Sequence, residues 1–420
     1  MYNIMGKYIN LFHSKSFSKF FIGINFTNFS QFLVNITIAW MIYEKTNQPF
    51  LIAIYGVLTQ VPSVLFGALC GYIIDKFGSF KVISVGVFIK SIIFMTLFLL
   101  PLTDNFGNIL SIIILLIINS AITPIISLCT SIIPNQLFND NQLISANSII
   151  NIFFDVAFIA GSIITGIVSS NANEKNAFLI ASLLFLFSSF LFIKSQINTG
   201  FDNTNFNKNK KAKTSIKQGL VFLITNKTVF YLFIATFLWN LLVWGMLPIV
   251  IPVFSKQVLS GGAYLFGWLN SAISIGIIIG SIIVGTLSTK WSTPRSIYYF
   301  IIFQGIFLII FGLQSKSIVS ISILILSGIF SAPVMIYKST ILQRMIPENM
   351  QGQVFSIIGT MVSITYPLGG FIVGFIADLI PQNKIGGTIV ISATIMIIVT
   401  AFFLLLDRKE NTKPVLNGSK

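Results

Sequence analysis

Apolar runs of membrane length recur twelve times along this chain, and no other feature limits its possible folds so severely. They lie at roughly 18–43, 50–74, 80–100, 109–131, 147–169 and 177–194, then at 229–253, 264–288, 295–314, 317–340, 353–380 and 386–406. A helix needs ~20 residues to cross the hydrocarbon of a bilayer, and nearly every run meets that length. A lipid-exposed segment must satisfy its own backbone hydrogen bonds, which leaves helices or closed barrels. The ten-residue alternation of barrel strands is absent. Only 9% of the 420 residues are charged and 55% are hydrophobic, too little charge to cover a soluble protein of this size. The chain reads as an all-α polytopic membrane protein with twelve transmembrane helices.

Internal repetition divides the runs into two sets of six. The stretch Gly67-Ala-Leu-Cys-Gly71-Tyr-Ile-Ile-Asp75-Lys76-Phe-Gly78-Ser-Phe-Lys81 ends one run, crosses a short charged turn and begins another. It has a partial echo 214 positions later, where Gly71, Lys76 and Lys81 fall on Gly285, Lys290 and Arg295. Ile133-Pro134 returns 213 positions on as Ile346-Pro347. Between the sets lies the polar, low-complexity core Asn203-Thr-Asn-Phe-Asn-Lys-Asn-Lys-Lys211, which reads as a connector, followed by a short surface helix near Ser215. The expected organisation is a six-helix bundle over 1–194, a cytoplasmic linker over 195–228, a second six-helix bundle over 229–406 and a tail over 407–420.

The formal net charge of +15 would suit a nucleic-acid partner, but the placement of the charges excludes one. With both termini inside, the cytoplasmic segments hold 20 of the 26 lysines and arginines, and the outer loops hold Lys45, Lys175, Lys256, Lys316 and Lys384. That bias sets an N-in, C-in topology in a cell membrane. Cys70 and Cys129 both lie inside apolar runs, with no disulfide framework and no metal-ligand spacing. No phosphate loop of the G-x-x-x-x-G-K-[ST] type occurs, so ATP hydrolysis is excluded, and no constellation supports covalent catalysis. No cofactor is expected.

The six-plus-six plan and the loop Gly71…Asp75-Lys76…Lys81 resemble the major facilitator superfamily, and that resemblance implies its fold. Three further stretches are similar to its proton-coupled exporter branch, which contains macrolide efflux proteins and catecholate-siderophore exporters. They are Tyr43-Glu44-Lys45-Thr46, Ile133-Pro134…Ala146-Asn147-Ser148…Gly161…Gly166, and Gln343-Arg344-Met-Ile-Pro347-Glu…Gly352-Gln-Val-Phe355…Pro367-Leu-Gly369-Gly370…Gly374…Ala377-Asp378. Departures are visible. Lys76 stands in place of one usual loop arginine and Ser79 where the other is common. The glycine-proline pair of the fifth helix reads Gly161-Ser162, which weakens the antiport inference, and Thr289 occupies the second copy's counterpart of Asp75.

The resemblance gives the loop a gating role. Gly67 and Gly71 share one helical face and would let two helices approach closely. Asp75 would engage cations or a helix N-terminus in one transport state, with Lys76 and Lys81 beside it. The alternative is that these residues only cap helices and obey the charge bias. A polar stripe in the first helix, Asn28, Gln31 and Asn35, lies within about 60° at 100° per residue and should face the bundle interior. It serves either substrate contact or helix–helix hydrogen bonding. Asp155 and Lys90 are the candidate proton-coupling groups, because an ionisable residue inside a spanning helix costs ~2.5–3.5 kcal/mol by insertion scales. Otherwise Asp155 is a structural carboxylate paired with Lys90 or hydrogen-bonded to Asn119, and Lys90 snorkels to the headgroups. Asn119, Trp239, Asn240, Trp244, Asn270 and Tyr366 complete the candidate substrate cavity. Pro248, Pro252, Pro333 and Pro367 mark expected kinks.

A proton moving down ~100 mV carries ~2.3 kcal/mol. That sustains a solute gradient of roughly fifty-fold, since ~1.4 kcal/mol is tenfold. The expected function is therefore proton-driven antiport of a small amphipathic molecule, such as a macrolide-like drug or a siderophore, by a monomer in the lipid bilayer. Its partners would be that substrate and protons. An uptake symporter of the same fold, or a transport-dead sensor or scaffold, are the alternatives.

Overall fold

The computed structural model of the chain describes residues 11–101, 106–171, 174–199, 216–286 and 293–411. Among them every regular element is helical. The first six long helices are α1 (Lys15–Thr46), α2 (Pro49–Phe77), α3 (Ser79–Leu99), α4 (Phe106–Leu137), α5 (Asp140–Ser170) and α6 (Lys175–Thr199). A short helix α7 (Ile216–Thr225) precedes α8, which runs over Lys227–Val258. Then come α9 (Gly262–Thr286), α10 (Pro294–Gly312), α11 (Ser317–Met345), α12 (Glu348–Leu379) and α13 (Ile385–Asn411). Ten of these helices, α3–α6 and α8–α13, are long and apolar enough to cross a membrane. The polar stripe of α1, a helix of 32 residues, keeps it out of that set, and α2 contributes the shorter apolar stretch Pro49–Pro62 among the described residues. A short helix is present after Ser215, as α7, and a Cβ at its Gly219 would come within 3.0 Å of the Gln353 Cβ on α12. The connector core over 203–211, Lys290 with its neighbours, and the end of the tail lie outside the described residues.

The chain clusters into two compact units. The first is drawn from Met1–Asn47, Ile54–Asn209 and Gly262–Ser271, the second from Gln48–Ala53, Lys210–Gly261 and Ala272–Lys420. In the first unit, α3 and α6 lie antiparallel through two reciprocal serine pairs. Ser91 and Ser182 each donate a hydroxyl to the other's carbonyl at 2.8 Å, and Ser84 and Ser189 do the same at 3.2 and 3.0 Å. Lipid tails are as apolar as leucine, so helices in a bilayer associate through small residues and interhelical hydrogen bonds. Ser16 and Ser195 repeat the exchange between α1 and α6. Behind these contacts Phe94 stacks on Phe185 with ring centroids 5.6 Å apart.

The glycines of α5 also have steric reasons. A Cβ at Gly161 would come within 3.1 Å of the Leu33 amide nitrogen on α1, and Thr165 on the same face donates to the Leu33 carbonyl. A Cβ at Gly166 would come within 3.1 Å of the Ala263 carbonyl in the first turn of α9. Between α2 and α3 the chain turns at Gly78, whose φ of 84° is a left-handed value that favours glycine.

In the second unit, α8 is not a uniform α-helix. Its Asn240–Trp244 and Phe254–Val258 segments are wound as π turns, closed by the Gly245 and Leu259 N–H groups on the carbonyls five residues back. Pro248 and Pro252 sit between them and donate nothing to the carbonyls one turn earlier. Single π turns inside α-helices concentrate at functional places.

Candidate functional site

The first unit holds one polar network inside its apolar interior. Gln31 and Asn35 lie one turn apart on α1, and the Gln31 Nε2 donates to Asn35 Oδ1 at 2.9 Å. The Tyr55 hydroxyl of α2 donates to the same oxygen at 3.2 Å. Lys90 of α3 is 1% exposed. Its Nζ donates to Gln31 Oε1 at 2.5 Å and to Thr123 Oγ1 of α4 at 3.0 Å. The Thr123 hydroxyl in turn donates to the Asn119 carbonyl, and the Phe185 ring lies 6.0 Å from the ammonium. Three helices thus meet at the two amide side chains, and α4 joins them through Lys90. Burying an ammonium costs several kcal/mol after relaxation, so these acceptors are what keeps Lys90 there. Among the described residues no carboxylate forms an ion pair with it.

Asp155 is half-buried on α5, one turn beyond the exposed Asn151. It makes neither a hydrogen bond nor an ion pair among the described residues, so the structural pairing with Lys90 is not formed in this conformation. Asn28 is half-buried one turn before Gln31. Asn119 is 2% exposed and its Oδ1 has no partner, an orphaned buried acceptor on the helix that supplies Thr123. Asn270 belongs to the first unit, and its amide is held by the Phe266 carbonyl of its own helix.

The second unit gathers Trp239, Asn240 and Trp244 around the first π turn of α8. The Trp239 Nε1 donates to Gln304 Oε1 of α10 at 2.6 Å, with both residues 1% exposed. Asn240 donates to the Thr236 carbonyl at 2.8 Å. Trp244 meets Trp239 edge-on at 6.0 Å, and its buried indole nitrogen has no partner. Tyr366 lies on α12 one turn before Gly369, which packs against α8. A Cβ at Gly245 would come within 2.8 Å of the Gly369 Cα and 3.1 Å of the Tyr366 carbonyl.

The loop after α2 is less engaged than its motif suggests. Asp75, Lys76 and Lys81 are exposed, and Asp75 has no partner among the described residues. The Lys76 ammonium sits 5.2 Å from the Phe77 ring. A Cβ at Gly71 would meet nothing within 4 Å, so the close helix approach expected there is absent from this conformation, and the surroundings of Gly67 lie outside the described residues.

Tyr55, Thr123 and Gln304 escaped the sequence reading. Gln304 carried a usable signal, being a lone amide in the apolar run of α10, whereas Tyr55 and Thr123 are ordinary helix residues until their neighbours are known. Among the described residues no cluster of His, Cys, Asp and Glu could hold a metal ion. Cys70 and Cys129 are buried and free.

Comparison with known proteins places this geometry in context. The family model of the Major Facilitator Superfamily matches residues 20–370 and 244–420. An uncharacterised MFS-type transporter, YfmI, of Bacillus subtilis (strain 168) is 19% identical over 396 residues, covering 93% of this chain and 96% of that protein. Macrolide efflux protein A of Streptococcus pyogenes is 25% identical over 189 residues, so the match spans 43% of this chain and 46% of that protein. Among solved structures, the nucleoside transporter NupG superposes with a TM-score of 0.70 at 15% identity, covering 94% of this chain and 99% of that one. A peptide transporter POT in complex with sulfate superposes with a TM-score of 0.73 at 13% identity, covering 94% and 95%. Likenesses at that identity concern the fold alone.

Proposed function

We propose that this chain, which belongs to the Major Facilitator Superfamily, exports a small amphipathic molecule in exchange for protons. That it is an integral membrane transporter and not an enzyme follows from the family and the apolar helices. The direction, the coupling ion and the substrate class are our reading.

The observation that carries the reading is a pair of ionisable groups inside the spanning helices of one unit that are not bound to each other. Lys90 is held by neutral acceptors, and Asp155 by no side chain among the described residues. Ionisable groups at membrane depth are costly and mark transport pathways by default. An Asp155 carboxyl without a fixed counter-ion can take up a proton from one side and release it to the other as access alternates. The Gln31–Asn35–Tyr55 amides and hydroxyl, hinged on Lys90, offer donors and acceptors to a polar substituent on an otherwise apolar substrate. The partial likeness to a macrolide efflux protein supports a macrolide-like substrate, and the basic bias of the segments assigned to the inside supports a plasma-membrane protein with both termini cytoplasmic. Alternating access would come from the six-helix bundles over 1–194 and 229–406 rocking about the site, with the Gly67–Lys81 loop closing the inner side in one state.

The test is accumulation of a panel of dyes, macrolides and siderophores in cells expressing wild type or Asp155→Asn, with a proton uncoupler added midway. Lower accumulation of one compound, restored both by the uncoupler and by the substitution, is the expected outcome. Accumulation that rises with expression would make the protein an importer. An Asp155→Asn variant that exports as well as wild type would remove Asp155 from the coupling.

A further inference from the structure

We propose that the lipid-facing groove between α3 and α6 is a binding site for one anionic phospholipid. The groove has a volume of about 430 Å³ and is lined by Phe88 of α3 and by Leu183, Leu186, Phe187, Phe190 and Ile193 of α6. It is fixed in shape, because the serine pairs Ser84–Ser189 and Ser91–Ser182 clamp its two walls, and Phe187 is braced edge-on against Phe26 of α1 at 5.7 Å.

Its length suits one leaflet. From Leu183 to Ile193 the helix rises ~15 Å at ~1.5 Å per residue. That is about half of a hydrocarbon core ~30 Å thick. An acyl chain laid in it would end where cations gather. The Lys194 ammonium stands 4.3 Å from the Phe190 ring, at the mouth of the groove. Lys19 of α1 donates to the Lys194 carbonyl at 3.3 Å, which brings a second ammonium to the same end. The antiparallel register set by the serine pairs places the start of α3 level with the end of α6. Lys81 is exposed there, two turns before Phe88 on the same helical face. Among the described residues no carboxylate pairs with any of the three. An apolar trough one leaflet deep with ammonium groups at one end is complementary to an acyl chain carrying a phosphate. Each such ammonium favours an anionic over a neutral headgroup roughly five-fold.

The experiment is native mass spectrometry of the full-length protein released from micelles supplied with equal amounts of phosphatidylglycerol and phosphatidylcholine. The wild type is expected to retain one phosphatidylglycerol in preference. Lys19→Gln with Lys194→Gln should lower that preference roughly 25-fold, and the corresponding double arginine variant should keep it. Lys81 is left intact because it belongs to the candidate gating loop. Leu186→Trp, which fills the groove from a lipid-facing position, should lose both lipids. Equal retention of the two lipids by the wild type would overturn the proposal, as would an unchanged preference in the glutamine variant or full retention in Leu186→Trp. The measurement uses no substrate, so its failure leaves the export reading standing, and a failed export assay leaves the lipid site standing.

Discussion

Replacing Gln31 by leucine should cost more stability than removing the charge that Gln31 supports. In Gln31→Leu the Lys90 ammonium keeps Thr123 Oγ1 but loses its 2.5 Å bond to Gln31 Oε1, in a place where it is 1% exposed. A hydrogen bond to a charged group contributes ~1.5–3 kcal/mol, and water cannot replace it there. We expect a loss near the middle of that range, about 2 kcal/mol. Lys90→Met removes the buried charge itself. Gln31 then loses one donor but is only half-buried, and Thr123 still donates to Asn119, so the cost should stay within about 1 kcal/mol. The double variant places two apolar side chains in contact and should match Lys90→Met. The coupling between the sites is then about 2 kcal/mol. For a folding unit of this size ~1 kcal/mol moves Tm by ~2–4 °C, so Gln31→Leu should melt ~4–8 °C below wild type and the double variant well above it. Thermal unfolding of the purified protein, followed by tryptophan fluorescence, reads this directly. Trp40, stacked on Phe266 at 5.2 Å, reports from the same unit. Effects that add within ~0.5 kcal/mol would refute the network, as would a Lys90→Met variant as damaged as Gln31→Leu.

Trp239→Phe should leave the Gln304 amide, 1% exposed, without its donor and destabilise the protein by ~1–3 kcal/mol, while adding Gln304→Leu should restore most of the loss in the same melt. Gly245→Ala puts a methyl group 2.8 Å from the Gly369 Cα, so the α8–α12 contact must open at a cost of ~1–3 kcal/mol. Gly387→Ala on α13 meets nothing within 4 Å and should be neutral or stabilising by up to ~1 kcal/mol. Equal melting of the two alanine variants would show that α8 and α12 do not approach at these glycines.

Much of the molecule was legible in the sequence because the bilayer imposes simple rules. Helix positions follow from run length, and each observed helix brackets or closely matches its apolar run, as α5 (Asp140–Ser170) does the run at 147–169. The stripe Asn28, Gln31 and Asn35 and the oddity of Lys90 inside a spanning run follow from the rarity of polar groups at membrane depth. The burial of Lys90, in place of snorkelling to the headgroups, was decided by its neighbours. The expected approach of helices at Gly71 did not follow, because a glycine permits close packing without requiring it.

The sequence by itself determined that the chain is a helical membrane protein, where its helices run and which side chains are too polar to face lipid. Only the tertiary structure decided which helix each polar group meets. Hydropathy cannot choose a helix's partner, since lipid and protein interior are equally apolar, and the choice falls to short-range packing and hydrogen bonding. Gln31 therefore reaches Lys90 across 59 positions, and Ser84 reaches Ser189 across 105. The π turns of α8 belong to the same class: they flank two prolines that withhold donors, and the first lies beside the glycine pair at which α12 packs against α8.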